Sequence, residues 1–210
     1  MKHQFALMLC LISISAFAQD EWELKKDKDG IKAYTKAVIG SNMKAIRATT
    51  EFHQSLETCV AVLRDIAHLK ELFPDCLEAV KVLQTDTQQI HYLHLKAPWP
   101  VADRDATFKL EYAYDASTQA VTVTATTGAA EYPKKDGVVR MTQGGGTWTF
   151  TRLDNGHTSL LYYYHGDPGG NIPAWLANSV VEENPFKMLL NFHQLIKLER
   201  YQGKKFSFIR

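Results

Sequence analysis

This chain lacks an excess of charge of either sign. It carries 24 basic and 23 acidic residues among 210 and has a formal net charge of +1. Such a balance provides no overall field that would attract nucleic acid or an anionic membrane. Aromatic residues are frequent, as at Tyr162, Tyr163 and Tyr164, but they lack the basic groove that accompanies base stacking. We therefore expect no nucleic-acid partner, and recognition must depend on shape or local chemistry.

Long hydrophobic runs are also lacking. The apolar run from Phe5 to Phe17 is too short to span a bilayer comfortably. It follows the basic Lys2 and ends at Ala16-Phe17-Ala18, the small-x-small pattern of a cleavage site. We predict a signal peptide over residues 1–18 and a mature protein, 19–210, that is periplasmic or secreted. A buried helix of the mature domain is the alternative interpretation.

Cysteine is scarce, and export would leave only Cys59 and Cys76 in the mature chain. A compartment outside the cytoplasm allows a disulfide. Cys59 lies early in a predicted helix and Cys76 just beyond its end, a placement that the narrow Cα window of a disulfide disfavours. We predict two buried free thiols, with the disulfide as the alternative.

Catalytic motifs are missing as well: the chain has no Gly-x-Ser-x-Gly elbow, no Cys-x-x-Cys pair and no phosphate-binding loop before a helix. His91 and His94 have a metal-like spacing for a helix, but on a strand they point to opposite faces. His157 and His165 lie far apart along an extended chain, and His193 is interpreted as a satisfied lining residue. We predict no enzyme, no catalytic residue, no metal and no cofactor.

What the sequence does contain is regular hairpin punctuation, such as Asp29-Gly30 and Asp136-Gly137, which predicts an antiparallel meander in one domain. A helix from Ser55, its N-cap, to about Leu72 follows the second strand and stops at Pro74. The predicted strands are Ile31–Val38, Met43–Phe52, Glu78–Gln84, Gln88–Lys96, Asp105–Tyr114, Ala120–Thr127, Val138–Leu153 and Thr158–Gly166.

Alternation along these strands predicts one apolar face and one solvent face. In the fifth strand the inward set begins at Arg104 and Ala106, whereas Asp105 and Thr107 are predicted to face solvent. Glycines 144–146 lie in mid-strand, where glycine marks a bulge, a bend or close backbone approach. We interpret them as a bend that lets the sheet curl.

A long helical pattern from Pro173 to about Arg200 ends the chain. Asn171 is a candidate N-cap, and Pro185 removes a backbone hydrogen bond and predicts a kink. Its apolar stripe comprises Ala174, Ala177, Val181, Met188, Phe192, Leu195 and Ile196. The sequence predicts an α+β fold in which a curved antiparallel sheet wraps around this helix and leaves an internal hydrophobic cavity.

The residues predicted to bind a ligand share inward parity on the strands or helix, or lie on the rigid loop that precedes the fifth strand. On that loop, Pro98 and Pro100 flank an indole and withhold two N–H donors, so we expect it to act as a gate. The predicted ligand-binding residues are Trp99, Arg104, Phe108, Tyr112, Trp148, Phe150, Met188 and Phe192.

Three segments together resemble the START (steroidogenic acute regulatory protein-related lipid transfer) domain of the bacterial exported kind, within the helix-grip superfamily. They are Trp99-Pro100-x-x-Asp103-Arg104-Asp105, Gly146-Thr147-Trp148 and the tail of residues 169–178, which contains Pro173-Ala174-Trp175-Leu176. The resemblance covers nearly the whole mature chain. It implies a tunnel between the sheet and the last helix that holds one lipid, sterol or similar apolar molecule, gated by the Trp99 loop and the helix.

The same resemblance implies that Arg104 either contacts a polar ligand head or is satisfied by a structural carboxylate, and the carboxylate is favoured. We expect a monomer that carries its ligand and touches membranes transiently. Two rival functions remain from other classes. One is an enzyme of the cyclase or hydrolase type on the same fold, and the other is an envelope protein whose cavity is filled by side chains and whose surface binds another protein.

Overall fold

The computed structural model describes residues 22–170 and 172–210. The predicted signal peptide (1–18) and the predicted N-cap Asn171 lie outside the described residues, as do the side chains of Ala174, Ala177 and Val181 in the helical stripe. The strands are β1 Glu23–Lys28, β2 Ile31–Lys36, β3 Ala45–Phe52, β4 Cys76–Gln84, β5 Gln88–Leu95, β6 Arg104–Asp115, β7 Ala120–Thr127, β8 Val139–Arg140, β9 Gln143–Arg152 and β10 Thr158–Asp167. The helices are α1 Leu56–Arg64, α2 Leu69–Leu72 and α3 Ala174–Leu195, with 3₁₀ turns at Ile66–His68 and Glu199–Tyr201.

The ten described strands form one curved sheet, in which nine follow the order β1-β2-β3-β10-β9-β7-β6-β5-β4 and β8 pairs with β6 off this path. Neighbours along this path are antiparallel, and β10 pairs with β3 to join the two halves of the meander. The last helix, α3, packs against β2, β3 and α2. The predicted α+β helix-grip fold is confirmed, and the core lies between the concave face of the sheet and the helices.

The first strand, β1, is absent from the prediction because its sequence, Glu-Leu-Lys-Lys-Asp-Lys, has no alternation of apolar and polar residues. It lies at one edge of the sheet and pairs only with β2. Charged residues are common on edge strands, because they prevent pairing with other chains. A polar strand of this kind is held by its backbone ladder and leaves no periodic signal.

The predicted strand Val138–Leu153 is two strands in the structure. β8 pairs in parallel with the start of β6, at Arg104 and Asp105, beyond the point where β7 has ended. β9 begins only at Gln143. The segment that leads into β8 covers the outer face of β5 and β6, so Asp105 and Thr107 are buried, and the prediction that they face solvent is wrong.

The predicted N-cap of α1 is confirmed, since the Ser55 hydroxyl accepts a hydrogen bond from the Thr58 N–H at 3.2 Å. The helix does not run to Leu72 as predicted. It ends at Asp65, whose carboxylate accepts hydrogen bonds from His68 Nδ1 (2.7 Å) and the Tyr201 hydroxyl (3.1 Å). A side chain fixed in this way competes with the helical backbone, and a 3₁₀ turn and α2 follow.

The last helix, α3, contains Pro185 and ends at Leu195, earlier than the predicted Arg200. Its end is capped by the Gln202 amide, which donates to the Ile196 carbonyl at 2.6 Å. The predicted kink at Pro185 stays a prediction.

None of the helices in the described ranges combines the length and apolarity needed to cross a bilayer.

Both cysteines among residues 22–170 and 172–210 are buried and free, as predicted. Burial raises the pKa of the Cys59 thiol to about 12 and that of Cys76 to about 11. A thiol that stays protonated at neutral pH is a poor nucleophile. The two side chains therefore serve as apolar packing residues.

Candidate functional site

A cavity of about 300 Å³ lies between the concave face of the sheet and α3. A volume of this size is at the lower end of the range for small-molecule sites. Its wall is mostly aliphatic and aromatic, and the residues that form its interior include Ile46, Leu63, Leu69, Leu93, Phe108, Leu110, Ala125, Trp148, Tyr162 and Met188. The predicted internal hydrophobic cavity is therefore present.

Four of the eight residues predicted to bind a ligand, namely Arg104, Phe108, Trp148 and Met188, lie in the wall of the cavity. Tyr112, Phe150 and Phe192 do not line it, so the prediction that they share the lining is wrong. All three side chains are buried, as their sequence pattern predicts. The pattern identifies the buried face of a strand or helix, but it does not show which part of that face borders the cavity and which part is packed core.

The three misplaced residues belong to the solid core beside the cavity. Tyr112 lies under the Phe208 ring, with centroids 5.9 Å apart, and under the Arg64 guanidinium at 4.9 Å. Phe192 stacks on Phe52 at 4.7 Å and meets Phe150 at 5.9 Å. This aromatic cluster supports Trp148 from behind and fixes the position of the cavity wall.

The mouth of the cavity is bordered by the loop before β6, the segment after β10 and the turn after β2. The eighth predicted residue, Trp99, lies on the first of these loops and is 91% exposed, outside the lining. Trp175 at the start of α3 is also exposed. Asp103 organises the Trp99 loop by accepting from the Ala97 N–H at 3.0 Å and by pairing with His94 at 3.2 Å.

Among the described residues, no carboxylate accepts a hydrogen bond from Arg104, so the favoured expectation of a structural carboxylate is wrong. The guanidinium donates to three main-chain carbonyls: Pro168 at 3.2 Å, Gly169 at 3.0 Å and Ala102. Burial lowers the pKa of Arg104, and the charge of Asp103 partly offsets this effect. The side chain therefore presents a cation at the cavity wall and ties β6 to the segment after β10.

The carboxylate next in sequence, Asp105, points to the opposite face and pairs there with Arg140. Its oxygens accept from Arg140 Nε at 2.7 Å, from the second Arg140 nitrogen at 2.9 Å and from the Tyr92 hydroxyl at 3.0 Å. Burial opposes the charge, but these hydrogen bonds prevail and the pKa of Asp105 is lowered. This network anchors the covering segment to the sheet and leaves Arg104 to the cavity.

The glycines of β9 make room for Tyr164, a residue of the cavity wall. The pairing of β9 with β10 runs through Gly146, Gly145 and Gly144 without a bulge. Gly144 has a φ of 156°, and a Cβ there would lie 2.7 Å from the Tyr164 hydroxyl. Close approach is therefore the reason for the glycines, and the register gives no sign of the predicted bend.

His91 was not predicted to line the cavity. It is buried, lines the cavity and stacks on Phe108 with ring centroids 5.8 Å apart. Its Nδ1 atom has no hydrogen-bond partner among the described residues. The signal was its inward parity with Leu93 on β5, which we used only to dismiss a metal pair with His94.

We expect His91 to destabilise the protein as the pH falls from about 6.5 towards 4. Burial lowers the pKa of His91 to about 4, so the unfolded chain takes up a proton in this interval while the folded protein does not. The shift corresponds to about 3 kcal/mol of stability that is present above pH 6.5 and lost below pH 4.

Urea denaturation of the wild type and His91→Gln across pH 4–7 measures this effect. His193, whose pKa is also lowered by burial, is common to both proteins, so the difference between their curves reports His91. Parallel curves would contradict the prediction.

A group of side chains with metal-ligating atoms lies outside the cavity: Glu51, His53 and His157, whose ligand atoms are within 4.8 Å of one another. The imidazole of His157 is 2.7 Å from the Glu51 carboxylate and stacks on His53. Hydrogen bonds from His157 and Asn155 lower the pKa of Glu51. The group is satisfied by its own contacts.

Comparison with known proteins relates this geometry to one family. The START domain model matches residues 4–197. An uncharacterized protein of Pseudomonas aeruginosa is 30% identical over 176 residues, covering 83% of this chain and 86% of its own. The bovine phosphatidylcholine transfer protein is 22% identical over 181 residues, 84% of each chain.

A solved structure has the same architecture. The STAR-related lipid transfer protein of Xanthomonas axonopodis (fragment 25–204) superposes with a TM-score of 0.78 at 34% identity, covering 84% of this chain and 99% of its own. The helix-grip sheet, the cavity under the last helix and the match along residues 4–197 lead to one conclusion: the chain belongs to the START domain family.

Proposed function

We propose that this protein binds one lipid, sterol-like or other apolar small molecule in its cavity and carries it between membranes or to a partner. The observation that carries the proposal is the apolar cavity of about 300 Å³ beneath α3. Relatives named for lipid transfer, in Xanthomonas axonopodis and Bos taurus, support it.

Affinity in such a site comes from removal of apolar surface from water. Each buried methylene contributes about 0.8 kcal/mol, so a long-chain or sterol-sized ligand is held with few polar contacts. Arg104 in the wall offers a cation for a polar head. Most of the ligand would contact apolar side chains. Discrimination between ligands therefore depends on the few polar groups in the wall.

Native mass spectrometry of protein purified without detergent tests the proposal. We expect a co-purified apolar molecule at one copy per chain, because an apolar cavity binds apolar molecules that it meets in the host cell. A protein that carries no lipid and takes none up from vesicles would contradict a carrier function.

We expect the mature protein to begin near Gln19 and to be recovered outside the cytoplasm. The basic start, the short apolar run and Ala16-Phe17-Ala18 support this expectation. Intact mass of the protein recovered from an exporting host measures the start. A stable cytoplasmic protein that retains Met1 would contradict it.

Ligand exchange is gated by the loop that carries Trp99, and its exposed indole contacts the membrane together with Trp175. Each side chain is next in sequence to a residue of the cavity lining, Pro98 or Leu176, and most of its surface is free, at 91% and 74% exposure. Indole rings favour the interface between water and hydrocarbon. The end of the protein that carries the cavity mouth therefore contacts the membrane. This contact is transient because so few apolar side chains insert.

Trp99→Ala is expected to slow transfer of a fluorescent lipid between vesicles several-fold while the melting temperature changes by no more than a few degrees. Substitutions at exposed positions usually change stability by less than about 0.5 kcal/mol. Leu161→Ala, on the exposed outer face of β10, is the control. Strong destabilisation with unchanged transfer would assign Trp99 to the core.

The two rival functions are less well supported. An envelope module with a filled interior disagrees with the open cavity. For an enzyme, the buried His91 is a suggestive group, but its Nδ1 atom bonds to no carboxylate among the described residues that would orient the ring as a base. His91 is better explained as a contact for a bound ligand.

A further inference from the structure

One buried polar group in the cavity wall is left unsatisfied by the protein. His91 lines the cavity and is only 3% exposed, and its Nδ1 atom has no hydrogen-bond partner among the described residues. Its neighbours across the strands are Lys81 and Phe108, and only the Phe108 ring stacks on it. Buried polar side chains normally have a partner, so an imidazole in this position requires one from outside the chain.

The chemistry of that partner is restricted by the charge state of the ring. His91 is neutral at physiological pH, because burial lowers its pKa to about 4. A neutral imidazole offers one N–H donor and one acceptor nitrogen. A hydroxyl group is both acceptor and donor, and it can satisfy the ring in either tautomer. A carboxylate or ammonium group at this depth would be buried without a counter-ion.

The position of His91 separates this contact from the cation at the mouth. His91 pairs with Phe108 on β6, four residues from Arg104 along the same strand. Four residues of β-strand span roughly 13 Å. Between these points the wall is apolar, with Leu93 and Leu95 on β5. The cavity thus has a charged group at one end and a neutral polar group further along its wall.

We propose that His91 binds an uncharged hydroxyl group within the apolar body of the ligand, so that the protein prefers hydroxylated lipids to their plain hydrocarbon counterparts. This inference rests on the proposed function, since it presumes a lipid in the cavity. It adds a second specificity-determining residue, distinct from Arg104, to a site whose wall is mostly apolar.

Competition between ricinoleate and oleate, which differ by one hydroxyl group in mid-chain, tests the inference. Native mass spectrometry of equimolar mixtures gives the ratio of the two bound lipids. We expect the wild type to favour ricinoleate about tenfold, the effect of one net hydrogen bond. His91→Leu should abolish this preference while retaining oleate, and His91→Gln should restore part of it. His53→Leu, at an exposed position outside the cavity, should behave as the wild type.

His91→Leu is expected to fold, because it replaces an unsatisfied polar group with an apolar one in apolar surroundings, and its melting temperature verifies this. Equal ratios in the wild type and His91→Leu would overturn the role of His91, while binding of both lipids would leave the carrier function intact. A preference lost equally in His53→Leu would also overturn it. Binding of neither lipid by any variant would refute the proposed function itself, and the inference with it.

Discussion

Truncation of Phe192 to alanine is expected to lower the free energy of unfolding by about 3–5 kcal/mol. The ring is completely buried and lies at the centre of the aromatic cluster, stacked on Phe52 and in contact with Trp148 and Phe150. Removal leaves a void that rigid aromatic neighbours cannot fill. The loss therefore includes both the burial of the ring and the cost of the new cavity.

Chemical denaturation of the wild type and Phe192→Ala measures this loss, with Phe206→Ala as a matched control. Phe206 is only partly buried and lies against Phe208 and Arg64 at the periphery, so its truncation should have a smaller effect. A loss below about 1 kcal/mol for Phe192 would mean that the ring borders empty space. That outcome would restore the sequence-based expectation that it lines the cavity.

Ala125→Phe is expected to abolish lipid binding or reduce it by more than tenfold while the protein stays folded. Ala125 lies on β7 in the cavity wall, opposite Leu110 and Gly146 in the sheet. A phenyl group at this position projects into the space that the ligand would occupy. Since the space is already empty in the protein, the ring meets less resistance than it would in a packed core.

Uptake of a fluorescent lipid and thermal unfolding, measured on the same samples, test the effect of Ala125→Phe. The control is Ala113→Phe, since Ala113 is exposed on the adjacent strand β6, and it should alter neither quantity appreciably. A variant that unfolds would mean that the space beside Ala125 is already packed. A variant that binds lipid as the wild type does would place the ligand elsewhere, and either result would count against the proposed cavity.

Much of the fold could be predicted from the sequence because its strands alternate strictly and its turns are marked. Val121, Val123, Trp148 and Phe150 are buried as their parity requires. The errors occur where tertiary contacts dominate over local pattern. Edge strand β1 has no apolar face, and Asp65 ends α1 through Tyr201, a residue distant in sequence.

The site was harder to predict than the fold for a related reason. Parity identifies the concave face, but only the three-dimensional packing divides that face into solid core at Phe150 and open cavity at Phe108. Arg104 was assigned an inward position correctly, but its partners are the carbonyl groups of Ala102 and of residues 168–169, which leave no mark in a sequence. His91 was passed over because a single histidine on a strand has no motif.

The carbonyl partners of Arg104 have a kinetic consequence for any opening of the mouth. Lifting residues 168–169 away from β6 would break two charge-assisted hydrogen bonds at once. The guanidinium would then face the apolar wall with too few acceptors. The barrier to opening is therefore highest when the cavity holds nothing polar, and an anionic head group that replaces the lost carbonyls would lower it. In such a protein the cargo itself would set the rate of its own release.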